Sequence, residues 1–255
     1  SSVVMSSSGD RAYVLNSQWR TNGGGIYSLK IGCDDSIKNE GLVTASKLPQ
    51  QIAQLAGGQM LVAAHDWGSS PMDQDLHLVS EVSSSAPVSS TTVFPDRDAI
   101  VRSSALSGDE KFMLLGDTSG ADRIAIASVS ASAVSGVQVL GPLEDPYAIQ
   151  FSPFNDAVLV SSGFGDALYT LSYDPDNANA PFAIVGELSY QGGKPLLPGN
   201  IVMIERGDLQ GTALISENNG VRQVLFEGGG VVTDKGLTKI HESYASVVGA
   251  LGVQP

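Results

Sequence analysis

Residues 152–165 read SPFNDAVLVSSGFG: a small polar turn, an apolar run, then a loop carrying polar and aromatic residues. The same order recurs at 6–19 (SSSGDRAYVLNSQW), 55–67 (LAGGQMLVAAHDW), 106–119 (LSGDEKFMLLGDTS) and 206–219 (RGDLQGTALISENN). With Asp10, Gly58, Asp109, Asp156 and Gly211 as turn anchors, the spacings are 48, 51, 47 and 55 residues. A period of roughly 50 residues, with several short strands in each unit, is that of a propeller blade.

Working outward, each unit divides into four strand candidates. In the fourth unit these are YAIQFSP, AVLVSSG, ALYTLSY and FAIVGEL. Many of the candidates alternate apolar and polar residues, as half-buried antiparallel strands do. The second of each set (YVL, MLV, FMLL, VLV, ALI) is almost wholly apolar, which suits a strand sandwiched between neighbouring sheets. Gly, Asn and Asp punctuate the first turns and tolerate the positive φ of hairpins. Residues 50–62 could open as a helix, but Gly57-Gly58 and the matching register favour strand–turn–strand.

The expected fold is therefore all-β: a propeller of about five four-stranded antiparallel blades, near 1–47, 48–95, 96–145, 146–199 and 200–255, forming one domain. The Ser-rich stretch Ser83–Thr92 falls where an outer edge strand belongs, and SYASVVGAL near the C-terminus would make one more strand. Five blades could close alone. The start SSVVMSSSGD, inside a repeat unit and without an initiator Met, leaves equally open a larger six- or seven-bladed ring that has lost N-terminal blades.

Composition narrows the function classes. The net charge of −13, from 27 acidic and 14 basic residues, argues against a nucleic-acid backbone and against an anionic membrane surface. No apolar run is long enough to cross a bilayer. The partners left are a protein or a small polar ligand. Cys33 is the single cysteine, so no intrachain disulfide can form, and no Cys/His cluster has zinc spacing. A periplasmic or extracellular bacterial protein is the favoured setting.

The unit at 146–182 resembles bacterial propellers of the lactonase-like, YVTN-repeat type. Blades of that type carry an F-S-P-D-G turn, an apolar strand, a Gly/Asn-rich loop and a strand ending in Asp. Here Phe151-Ser152-Pro153 and Asn155-Asp156 stand in the turn, and Leu168 to Asp174 in the strand. Gly25 to Ile31 of the first unit is a looser match. The resemblance implies the propeller architecture. It carries no catalytic residue across, because no functional motif is matched.

In a propeller the loops after the second strands gather on one face, together with the loops that join blades. The first set holds Trp19 and Arg20, His65-Asp66-Trp67, Asp117, Phe164-Gly165-Asp166, and Glu217-Asn218. The second adds Gln50, Asp96, Arg97, Asp98, Glu144, Asp145, Tyr147 and Asn200. Aromatic surfaces beside carboxylates and an imidazole suit a polar, carbohydrate-like or cationic ligand. The leading expectation is a non-enzymatic propeller that binds a ligand or protein on this face, through Trp19, Arg20, His65, Asp66, Trp67, Asp117, Glu217 and Asn218. The alternative is a lactonase-like or other hydrolase, with carboxylates and His65 at the channel mouth.

Other motifs have plainer readings. No cofactor signature is present. Asp73 with Asp75, and Asp174 with Asp176 and Asn177, have calcium-like alternation, yet neither run continues into a full calcium loop. Arg206-Gly207-Asp208 occupies a first turn, His77 sits in an alternating strand as a surface residue, and Cys33 reads as an incidental thiol.

Overall fold

The computed structural model describes residues 3–6, 8–16, 24–34, 36–45, 49–64, 76–80, 88–94 and 99–240. They form five antiparallel sheets of four strands each, with consecutive strands adjacent throughout. The first sheet comprises β1 (Val3–Met5), β2 (Arg11–Asn16), β3 (Gly25–Ile31) and β4 (Ile37–Ala45), the second β5 (Pro49–Gln54), β6 (Met60–Ala64), β7 (Leu76–Val79) and β8 (Ser89–Thr91). The third comprises β9 (Val101–Leu106), β10 (Phe112–Asp117), β11 (Arg123–Val129) and β12 (Val134–Leu140). The fourth holds β13 (Pro146–Phe151), β14 (Ala157–Ser162), β15 (Ala167–Tyr173) and β16 (Phe182–Glu187), the fifth β17 (Ile201–Met203), β18 (Thr212–Glu217), β19 (Gly220–Gly228) and β20 (Val231–Lys239). Residues 50–62 are strand–turn–strand, and the suggested strand near the C-terminus lies outside the described residues.

The first strands adjoin one another in chain order, β1 beside β5, β5 beside β9, β9 beside β13 and β13 beside β17. They are the inner strands of five blades. The second strands lie between blades and bury both faces, because successive side chains of a strand point to opposite sides. In β10, Met113 and Leu115 join the core between blades two and three, while Phe112 and Leu114 join the core between three and four. In β14, Val158 and Val160 face blade three, and Ala157 and Leu159 face blade five. In β6, Met60 and Val62 pack toward blade one, and Leu61 and Ala63 toward blade three. The wholly apolar second strands thus follow from position: each serves two cores.

The turns from first to second strand tie neighbouring blades together. The Gly108 N–H donates to Asn155 Oδ1 (2.8 Å), and the Ala56 N–H to Glu110 Oε1 (2.6 Å). In blade three the positive φ falls on Glu110 (57°) rather than on a Gly, Asn or Asp; in blade four it falls on Asn155 (55°). Tyr173 stacks on Phe182 at 4.8 Å, and its hydroxyl donates to both Asp109 carboxylate oxygens in the turn of blade three (2.9 and 3.0 Å). Burial, reinforced by that carboxylate, pushes the Tyr173 phenol far up.

Among the described residues no helix is long and apolar enough to cross a membrane. Within the same residues, no group of three or more His, Cys, Asp and Glu side chains is placed to hold a metal ion.

Candidate functional site

Five of the expected face residues, Trp19, Arg20, His65, Asp66 and Trp67, lie outside the described residues, as do Asp73, Asp75, Asp96, Arg97 and Asp98. The other three, Asp117, Glu217 and Asn218, are all buried. Asp117 ends β10 and is fully buried; it pairs with the Arg123 guanidinium at 2.9 Å and accepts the Ile100 N–H (2.9 Å) and the Ser119 N–H (3.0 Å). Glu217 ends β18 in the same way. It pairs with Arg222 and accepts the Leu196 N–H (3.2 Å), while the Asn218 N–H donates to the Leu196 carbonyl (3.0 Å).

These acids hold the loop that enters each blade. Arg222 completes the tie in blade five: it pairs with Asp234 at 2.6 Å and donates to the Gln191 and Gly193 carbonyls. Burial works against the guanidinium, but Glu217 and Asp234 outweigh it and hold its pKa above the ordinary value. The acid-then-arginine order of Asp117 and Arg123, six residues apart, recurs in Glu217 and Arg222, five apart, and marks a structural clamp on the blade-joining loop.

The exposed chemistry sits one step further in, where β9 and β13 run side by side. Arg102 is exposed, with Val101 and Ser103 on either side of it buried. Its guanidinium stands 5.7 Å from the centroid of the Tyr147 ring on β13, a cation–π arrangement. Its backbone is held from blade two, since Gln51 Nε2 donates to the Arg102 carbonyl (2.7 Å) and Gln50 accepts the Val101 N–H. From the other side, the Ser103 hydroxyl donates to the Pro146 carbonyl (2.6 Å). Three blades therefore fix one cation.

Asp145, immediately before β13, is only 8% exposed and adopts a positive φ of 43°. Its N–H donates to Asp122 Oδ1 (3.1 Å), its carbonyl accepts the Gly163 N–H (3.0 Å), and its Oδ2 accepts the Phe164 N–H (3.2 Å). Burial pushes the Asp145 carboxyl above the ordinary carboxylate range. The Phe164 N–H and the Arg102 charge oppose that shift, and the Asp122 charge adds to it. A buried carboxyl with a raised pKa beside a cation is a pairing that general-acid chemistry can use.

Asp145 and Tyr147 belong to the loops already singled out in the sequence. Arg102 does not, although a signal for it exists: in the inner strands VVM, PQQIAQ, VRSSAL, PYAIQF and IVM it is the one charged residue. Glu144 is exposed beside Asp145, Gln50 serves the blade contact, and the Asn200 carbonyl accepts the Ser216 N–H (3.0 Å). Asp174, Asp176 and Asn177 close an ordinary turn, in which Asp174 Oδ1 accepts the Asp176 N–H (3.1 Å). His77 is half-buried with its Nδ1 at 2.8 Å from the Ser90 hydroxyl, and Cys33 is an exposed free thiol.

Solved structures resemble this arrangement along most of its length. The periplasmic gluconolactonase of Pseudomonas aeruginosa superposes with a TM-score of 0.69 at 15% identity, covering 92% of this chain and 69% of that one. A candidate 6-phosphogluconolactonase of Bacteroides uniformis gives 0.67 at 16% identity, covering 91% and 69%. The fold is a lactonase-like β-propeller. A virginiamycin B lyase of Staphylococcus aureus also shares it, with a TM-score of 0.58 at 12% identity over 92% of this chain and 68% of that one. One propeller framework thus carries different chemistries, and function has to be argued from the site. No protein-family profile matches the sequence, and no curated relative does either.

Proposed function

We propose that this lactonase-like propeller is a hydrolase of sugar-type lactones, acting where Arg102, Asp145 and Tyr147 meet. The observation that carries the reading is the exposed Arg102 guanidinium held over Tyr147, beside a buried carboxyl that burial keeps protonated to higher pH than usual. Water attacks the lactone carbonyl and passes one proton to bulk solvent, and the oxyanion that forms faces the Arg102 guanidinium. The ring C–O bond then breaks, and the departing ring oxygen takes the Asp145 proton. Water supplies the proton that restores Asp145, and the product is an open-chain hydroxy acid. The gluconolactonase-type structural neighbours support the substrate class, and the periplasmic one supports an exported location.

The test is acid release from glucono-δ-lactone, followed by titration and corrected for spontaneous opening. Arg102→Ala should lower kcat by about 10²–10³-fold without lowering Tm, and Asp145→Asn by about 10²–10⁴-fold. Turnover should decline as pH rises through the raised Asp145 value, because the acid form is lost. A wild-type rate equal to the spontaneous rate would remove the hydrolase reading.

A further inference from the structure

Among the described residues Phe164 is the most exposed of the large apolar side chains, at 77%, yet its backbone is tied to the site. Its N–H is bonded to the Asp145 carboxylate, and the preceding Gly163 N–H to the Asp145 carbonyl. A Cβ on Gly163 would lie 2.5 Å from Asp145 Oδ2 and 3.4 Å from the Tyr147 ring. One on Gly165 would meet the Ser162 hydroxyl and approach Glu144 Oε2 to 3.0 Å. The two glycines let the loop press against the Arg102–Tyr147–Asp145 group while Phe164 stays in solvent beside it. An apolar ring held there is available to the C–H face of a bound sugar ring.

The charges at the same place select among sugars. Asp122 accepts the Asp145 N–H (3.1 Å), Glu144 lies against Gly165, and Asp166 accepts the Leu197 N–H at 2.6 Å. Arg102 is an exposed cation beside these three carboxylates; Lys194, also exposed, is paired with Glu187 (3.1 Å), and the whole chain carries −13. That field opposes a phosphate dianion and leaves an uncharged polyol unaffected.

We infer that the site takes an uncharged sugar lactone, with the ring face laid on Phe164, in preference to a phosphorylated one. The inference rests on the lactone-hydrolase reading and names its substrate class. Calorimetric binding of two unreactive analogues, glucono-δ-lactam and its 6-phosphate, separates the two ideas. The neutral lactam should bind at least about tenfold more tightly than the phosphate. Phe164→Ala should weaken the neutral lactam by about fivefold to tenfold, and Phe164→Tyr should restore it. Equal or tighter binding of the phosphate, no effect of Phe164→Ala, or no lactam binding to the wild type would each overturn the inference. Lactam binding that depends on Phe164, without any lactone turnover, would remove the hydrolase and leave the ring platform standing.

Discussion

Asp145 is the residue at which the proposed chemistry and the stability of the fold meet. Its carboxyl is buried beside Asp122, and its pKa in the folded protein lies above the unfolded value. The folded state therefore holds this proton more tightly than the unfolded chain does. The stability so gained is complete below the ordinary carboxylate value of about 4, and is lost as pH rises through the raised one. Asp145→Asn removes the buried charge and keeps an oxygen for the Phe164 N–H. It should raise Tm at neutral pH, with a gain that shrinks toward zero near pH 4. A thermal-melt series across that range decides the point; a lower Tm at neutral pH would show that ionised Asp145 stabilises the fold. The same substitution should reduce turnover, because the amide has no acidic proton to deliver.

At the scale of the element, β10 carries the tightest constraint. It supplies side chains to two cores and ends in the Asp117 clamp on the incoming loop. Gly116, just before Asp117, faces the seam of β9 and β13. An added Cβ would meet the Ser103 hydroxyl and lie 2.7 Å from the Pro146 carbonyl oxygen. Those two atoms form the hydrogen bond that joins the strand of Arg102 to that of Tyr147. Gly116→Ala should cost about 1–3 kcal/mol by overpacking, read as a lower midpoint in chemical denaturation. It should also lower turnover, by parting the two strands of the site. Full stability with full activity would mean that the seam opens freely.

Across the whole molecule, blades are joined by shared cores, by turn-to-turn hydrogen bonds such as Gly108 to Asn155, and by buried serines. Ser161 donates to the Gly199 carbonyl of the next blade (2.7 Å), as Ser103 does to Pro146. Against these ties stands a net charge of −13, whose self-repulsion opposes compaction. Raising sodium chloride from about 0.02 to about 0.2 M shortens the screening length and should raise Tm. A falling Tm would instead show that ion pairs such as Arg11–Glu40 (3.2 Å) outweigh the repulsion.

The blade period, the four-strand unit and the two-sided apolar second strands were all legible in the residues, because each follows from local pattern. Alternation sets which face a side chain takes, and Gly, Asn and Asp mark where the chain turns back. The site was legible only as a face. Asp117 and Glu217 stand in equivalent loops and are acidic, and a linear chain does not reveal that each is paired with a buried arginine. Arg102 is marked in the sequence only as the one charged residue of the inner strands; its place over Tyr147 exists only once blades three and four pack together. Local pattern decides which residues form a blade. Which acids are spent on holding a loop depends on burial and on partners between 5 and 21 residues away, and the Arg102–Tyr147 contact joins neighbouring blades; only tertiary packing decides both.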